Sequence, residues 1–216
     1  DLVLSGQGLG AVETILTMQG NGVGSPGELE TGCSAFNGSA TVGGAAACSA
    51  TGTSFLITGA DTKTGAGQIG SPTLGSVGIT SASNIVVVFN ATEPAGNSIQ
   101  LEQLILNLFR ADGSIYYTAT LDPTLRPLLF NDTNTGVGNA GFSFRLDATQ
   151  SAEVQALGIL ATDRVGVEAS ASAFAGGLET FSLGNAAVLN GVPEPSSLLS
   201  IGLGLVGLAV YRRRRQ

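Results

Sequence analysis

Two pairs of carboxylates stand near turns in the 216-residue chain: Glu93 and Glu102 on either side of PAGN, and Glu168 and Glu179 on either side of Gly176-Gly177. Glycoside hydrolysis needs only such a pair, one acid and one base or nucleophile. A sugar cleft also stacks rings on aromatic faces, and the chain has no Trp. Tyr116 and Tyr117 are neighbours on a predicted strand, so they point to opposite faces and form no shared platform. The expectation is therefore that the chain is not an enzyme, with no catalytic residues.

Other chemistries are weaker still. The chain has no His, which excludes a nucleophile activated by imidazole. No phosphate-binding loop and no dinucleotide fingerprint occurs. Asp132 and Asn134 in NDTNTG have part of a calcium-loop spacing but lack its third early ligand and its closing Glu, so an Asx turn is the simpler reading. No metal or other cofactor is expected. Cys33 and Cys48 are far from Cys-x-x-Cys spacing and have no His to complete a zinc site. SAFNGSATVGGAAA between them cannot hold its ends together by packing. A disulfide is expected, which suits an oxidising, extracytoplasmic setting.

These residues must be positioned by short strands. The chain is rich in small residues, with 32 Gly, and only 12% of it is charged. AVETILTMQGNG predicts a strand ending at an Asn21-Gly22 turn, and SFLITG (54–59) a short strand. Residues 19–53 predict a long stapled loop or a weakly patterned sheet edge. NIVVVFN (84–90) predicts a strand buried on both faces. SIQLEQLILNLFRADGSIYYTATL predicts a hairpin turning at Asp112-Gly113. GFSFRLD puts Phe142, Phe144 and Leu146 on one face. ATQSAEVQALG predicts one short helix, started near Asp147 or Thr149 and stopped by Gly158. VGVEASASAF places Val165, Val167, Ala169, Ala171 and Ala173 on one face, with Glu168, Ser170 and Ser172 pointing away. LETFSL is expected to return as its hairpin partner. Eight to ten strands with frequent turns predict a mainly β fold, a β-sandwich of jelly-roll type, over residues 1–191.

The remaining residues break this pattern. VPEPSSLLSIGLGLVGLAVYRRRRQ ends the sequence. The uncharged run from Ser196 to Tyr211 would span about 24 Å as a helix, somewhat less than the hydrocarbon thickness. Pro193 and Pro195 set its start. Tyr211 and the snorkelling stems of Arg212, Arg213, Arg214 and Arg215 suit the far interface. A transmembrane helix is thus expected over 197–211, with the four arginines cytoplasmic and the body outside. Without the four tail arginines and Glu194, 9 basic and 16 acidic residues become 5 and 15, and the body carries −10. Such a body does not seek nucleic acid. The sequence begins at Asp1, so a leader peptide is expected to precede it.

The order VPEPSS, then a Gly- and Leu-rich apolar segment, then RRRR resembles the PEP-CTERM sorting signal of Gram-negative bacteria. Pro193, Glu194 and Pro195 match its motif residue by residue, over a resemblance confined to 192–216. It implies an exosortase-like membrane enzyme as a partner that processes the chain near that motif. It also implies a passage from the membrane to the cell surface or medium, in organisms that make exopolysaccharide. The expected function is a non-catalytic exported protein associated with a polysaccharide layer. A carbohydrate- or calcium-dependent binding module is the alternative.

Overall fold

The computed structural model describes residues 2–5, 12–20, 24, 28–48, 57–92, 98–131 and 140–189. Along the chain these form β1 (Leu2–Ser5), β2 (Glu13–Met18), β3 (Glu30–Phe36), β4 (Thr41–Gly43), β5 (Ile85–Thr92), β6 (Ser98–Phe109), β7 (Ile115–Thr120), β8 (Leu128–Asn131), β9 (Ala140–Arg145), α1 (Ala148–Ala156), β10 (Arg164–Ser172), β11 (Leu178–Asn185) and α2 (Ala186–Leu189). One sheet has the order β1-β9-β5-β11-β2 and the other β4-β3-β10-β6-β7, with β8 beside the first part of β6. The pairs are antiparallel and the apolar core lies between the sheets, so the described body is a β-sandwich. The predicted helix over 197–211 and the Asn21-Gly22 turn lie outside the described residues.

Alternation builds the core. Ile85, Val87 and Phe89 of β5 face Leu104, Leu106 and Leu108 of β6 and Val165, Val167, Ala169 and Ala171 of β10. Val86 and Val88 point the other way and are buried too, as the unbroken β-branched run predicts. Phe130 of β8 meets Phe89 and Phe142 at 5.3 and 4.1 Å between ring centroids, so aromatic packing joins the sheets beyond β7. Phe142 and Phe144 are half-buried against this core rather than enclosed by it.

The hairpin at Asp112-Gly113 and the short helix form where the sequence places them. Gly113 has φ +87°, and Asp112 accepts from the Ser114 amide at 2.9 Å. Asp147 caps α1 by accepting from the Gln150 amide at 2.8 Å, and Gln150 returns to the Asp147 amide at 3.0 Å. Gly158 follows the helix at φ +73°.

Three expectations are corrected. β3 is neither a loop nor a weak edge: it runs inside its sheet between β10 and β4, with Cys33 and Ser34 fully buried. The described end of SFLITG, residues 57–59, is not strand. Most consequentially, β10 and β11 are not hairpin partners. They lie in different sheets, β10 between β3 and β6, and β11 between β5 and β2. The link between them crosses the sandwich, with Ala173 at φ +58° and Phe174 buried. Glu168 and Ser170 do point away from the core, yet only 1% and 0% of their surfaces are exposed. That face of the second sheet is itself covered, and Glu168 is paired within it. Asn107 donates to Glu168 at 2.7 Å, and Thr118 donates to Asn107 at 2.8 Å.

One long side of the sandwich is stitched shut by the segment from Asp61 to Gly70. The Gln19 amide donates to Asp61 O at 3.0 Å, Lys63 N to Thr17 O at 2.9 Å and Gly70 N to Ile15 O at 2.9 Å, which occupies the free edge of β2. The same segment serves β3: Thr31 N donates to Asp61 Oδ2 at 2.8 Å and Cys33 N to Thr62 Oγ1 at 3.0 Å. A polar loop thereby satisfies backbone groups of both sheets and closes two edges at once.

Candidate functional site

Cys33 and Cys48 are joined by a disulfide with Cα atoms 5.3 Å apart. The bridge pins the turn at Gly44–Ala46 beside Gly59. A Cβ on Gly59 would lie 2.8 Å from Cys48 Sγ and 2.6 Å from Gly44 C, so the bridge sits where the seam loop begins. Its position is structural, and both sulfurs are consumed by it.

The opposite long side is open. A cleft of about 440 Å³ enters there between the sheets. Ile85, Val87, Leu104, Leu106 and Ala119 form its apolar floor; Asp122, Arg145 and Asp147 bring charge to it. Each charged group is placed by a local element. Asp122 precedes a 3-10 turn at Pro123–Leu125 and accepts from Thr124 N and Oγ1 at 2.8 and 2.7 Å. Those two donors hold its carboxyl below the ordinary carboxylate range, so it stays ionised and is unsuited to acid catalysis. Asp147 caps α1, and Arg145 ends β9. Phe144 is the one aromatic side chain among the lining residues.

Glu168 and Glu179, one of the two pairs singled out in the sequence, lie in different sheets and form no pair. Glu102 accepts from the Ser172 hydroxyl. Glu168 accepts from Asn107 within the second sheet, whereas Glu179 is buried in the first. Glu93 and the Asp132–Asn134 loop lie outside the described residues. No group of three or more acidic, His or Cys side chains able to hold a metal ion occurs among the described residues. Tyr116 and Tyr117 diverge as expected. Tyr116 lies under the Arg110 guanidinium, 3.8 Å from its ring centroid, while the Tyr117 hydroxyl donates to Glu153 at 2.9 Å. Sequence reasoning did not find the cleft, because its lining comes from four strands, β5, β6, β7 and β9, that only the fold brings together.

Pro193, Glu194, Pro195 and the four arginines lie outside the described residues. No helix among the described residues is long and apolar enough to cross a membrane. Residues 191–215 match the PEP-CTERM protein-sorting motif. The chain therefore carries a C-terminal sorting signal of the kind that an exosortase-type enzyme processes in exported proteins. The match leaves the sandwich body unassigned. No curated protein and no solved structure matches the chain.

Proposed function

We propose that this is a non-catalytic exported protein that its C-terminal signal first holds in the membrane and then delivers to an extracellular polysaccharide layer. The match of residues 191–215 to the sorting motif carries this reading. The helix over 197–211 is the temporary anchor, Arg212–Arg215 keep its end cytoplasmic, and Pro193-Glu194-Pro195 is the processing motif. A disulfide-closed, acidic sandwich is well suited to an oxidising exterior. Replacing Pro193, Glu194 and Pro195 together with Ala tests the reading. Unprocessed chain should accumulate in the membrane fraction while insertion is unchanged. If the variant matures and leaves at the normal rate, the tail is a plain anchor.

The open cleft favours one second reading, a binding module. Its volume is that of a small-ligand site, and a few polar groups stand over an apolar floor. A glycan array run with and without Ca²⁺ separates the readings: a saturable, cleft-dependent hit supports binding, and a blank array supports the scaffold role.

A further inference from the structure

The chain leaves the sandwich at one particular end. β11 finishes at Asn185, whose side chain donates to Val77 O and Gly78 O at 3.2 and 2.9 Å. Ala186, the first residue of α2, is buried. The exit point is thus fixed to the body. From Leu189 to Ser197, the first residue of the expected anchor helix, the backbone advances eight residues, at most about 29 Å when fully extended. A body held by this anchor keeps its exit end near the bilayer.

That end is unlike the rest of the surface. Asn185 pairs there with Ile85 and Arg145 with Val86 in the first sheet, and Phe109 pairs with Arg164 and Ile115 in the second. α1 links the two sheets across it. Six large apolar side chains are conspicuously exposed among the described residues, and four of them, Ile115, Leu157, Leu160 and Val188, belong to this end. Leu157 and Leu160 are held in place through their backbone. Arg110, beside the β6–β7 turn, donates to Leu157 O and Gly158 O at 2.8 Å each, and to Asp163. The Leu160 amide donates to the same Asp163 carboxylate at 2.8 Å. Gln155 of α1 accepts from the Ala82 amide at 3.0 Å, in the turn against which α2 packs. Single exposed apolar residues are ordinary on a soluble surface; a fixed group of them beside a short membrane tether is a contact surface.

We infer that this end of the sandwich rests on the outer face of the lipid bilayer while the tail is anchored, with Leu157 and Leu160 dipping among the headgroups. The inference builds on the reading of the tail as a membrane anchor. Lipid is the occupant because a tether of at most about 29 Å keeps this end within reach of a bilayer. The acidity of the body favours zwitterionic over anionic lipid. Docking presents the far end outward and sets the processing motif at the surface, between the body and the bilayer.

The absence of Trp makes the test direct. Leu160→Trp is introduced into the full chain, and Leu129→Trp, exposed away from this end, serves as control. Leu157→Trp is the second reporter should Leu160→Trp disturb folding. Each is reconstituted in vesicles of phosphatidylcholine with brominated acyl chains. The expected result is a blue-shifted emission and strong bromolipid quenching at 160 or 157, with neither at 129. Equal quenching at all positions, or none, in chain that resists carbonate extraction overturns the docking while leaving the anchor intact. Chain that carbonate removes overturns the anchor reading and the docking with it. A blue shift at 160 without lipid quenching means that a second copy covers this end, which also overturns the inference.

Discussion

Arg110 Nη1 lies 2.8 Å from Asp163 Oδ2, and this contact ties the β6–β7 turn to the start of β10. Asp163 is wholly buried and the arginine side chain is 27% exposed. The guanidinium also donates to two carbonyls beyond α1 and covers the Tyr116 ring. One side chain thus gathers a hairpin turn, a helix end and a strand start. Arg110→Met should remove about 3 kcal/mol of stability, because it strands a buried carboxylate. Arg110→Lys should recover less than half of that, since an ammonium cannot fork between the carbonyls and the carboxylate while lying on the ring. Urea denaturation of the three proteins measures both effects.

The disulfide closes a sequence separation of 15 residues. Restriction of the unfolded chain by a loop of this length contributes about 3 kcal/mol. A protein carrying Cys33→Ser and Cys48→Ser should unfold at lower urea by that equivalent. Adding a reductant should shift the native protein toward the variant and leave the variant itself unmoved.

Two turns meet at glycines. A Cβ on Gly113 would lie 2.3 Å from Gly38 N, and one on Gly38 would lie 2.3 Å from Asp112 O, so both clashes are with backbone. Both residues also have positive φ. Gly113→Ala should therefore cost about 3–4 kcal/mol, as a combined steric and dihedral defect. Gly158 shares the positive φ but has nothing within 4 Å of the Cβ position. Gly158→Ala should cost only about 1 kcal/mol. Thermal melts that rank the two substitutions the other way would contradict the packing of the turns.

Alkaline pH probes the contact of Tyr117 with Glu153. Burial, then the hydrogen bond to Glu153 and its charge, push the Tyr117 phenol from 10.0 up to about 12. The folded state thus holds a proton that the unfolded state releases near pH 10. The contribution is complete below pH 10 and is lost as pH rises from about 10 to 12. Ultraviolet difference titration should place one phenol near 12, and Glu153→Gln should lower it. Tyr116, which burial and the Asp163 charge also raise, should ionise later still.

The features legible in the sequence were those whose physics is local. Asp112-Gly113 makes a turn from its own dihedral preferences and hydrogen bonds. Asp147, Gln150 and Gly158 delimit α1 within one short stretch. The run Ile85–Phe89 announces burial on both faces because its β-branched side chains do not alternate with polar ones. The sorting tail is a linear signal, so its order of motif, apolar run and arginines needs no fold to be recognised.

Other features depended on partners distant in the chain. Alternation in β10 correctly assigned Val165 and Val167 to the core, but it could not say whether the opposite face met water. There Glu168 is buried and bound to Asn107. Gly176-Gly177 permits a hairpin, yet β10 and β11 each have both edges occupied by other strands, and the link crosses between sheets. β3 has weak propensity and many small residues; it is a buried strand because β10 satisfies one edge and β4, with the segment from Asp61 to Gly70, the other. The cleft likewise exists only where β5, β6, β7 and β9 converge. Dihedral preference, capping and motif order act over a few neighbouring residues, and the sequence determined them. Strand partnership, the covering of a sheet face and the shape of a cavity are competitions for shared edges and volume, and only the tertiary structure decided them.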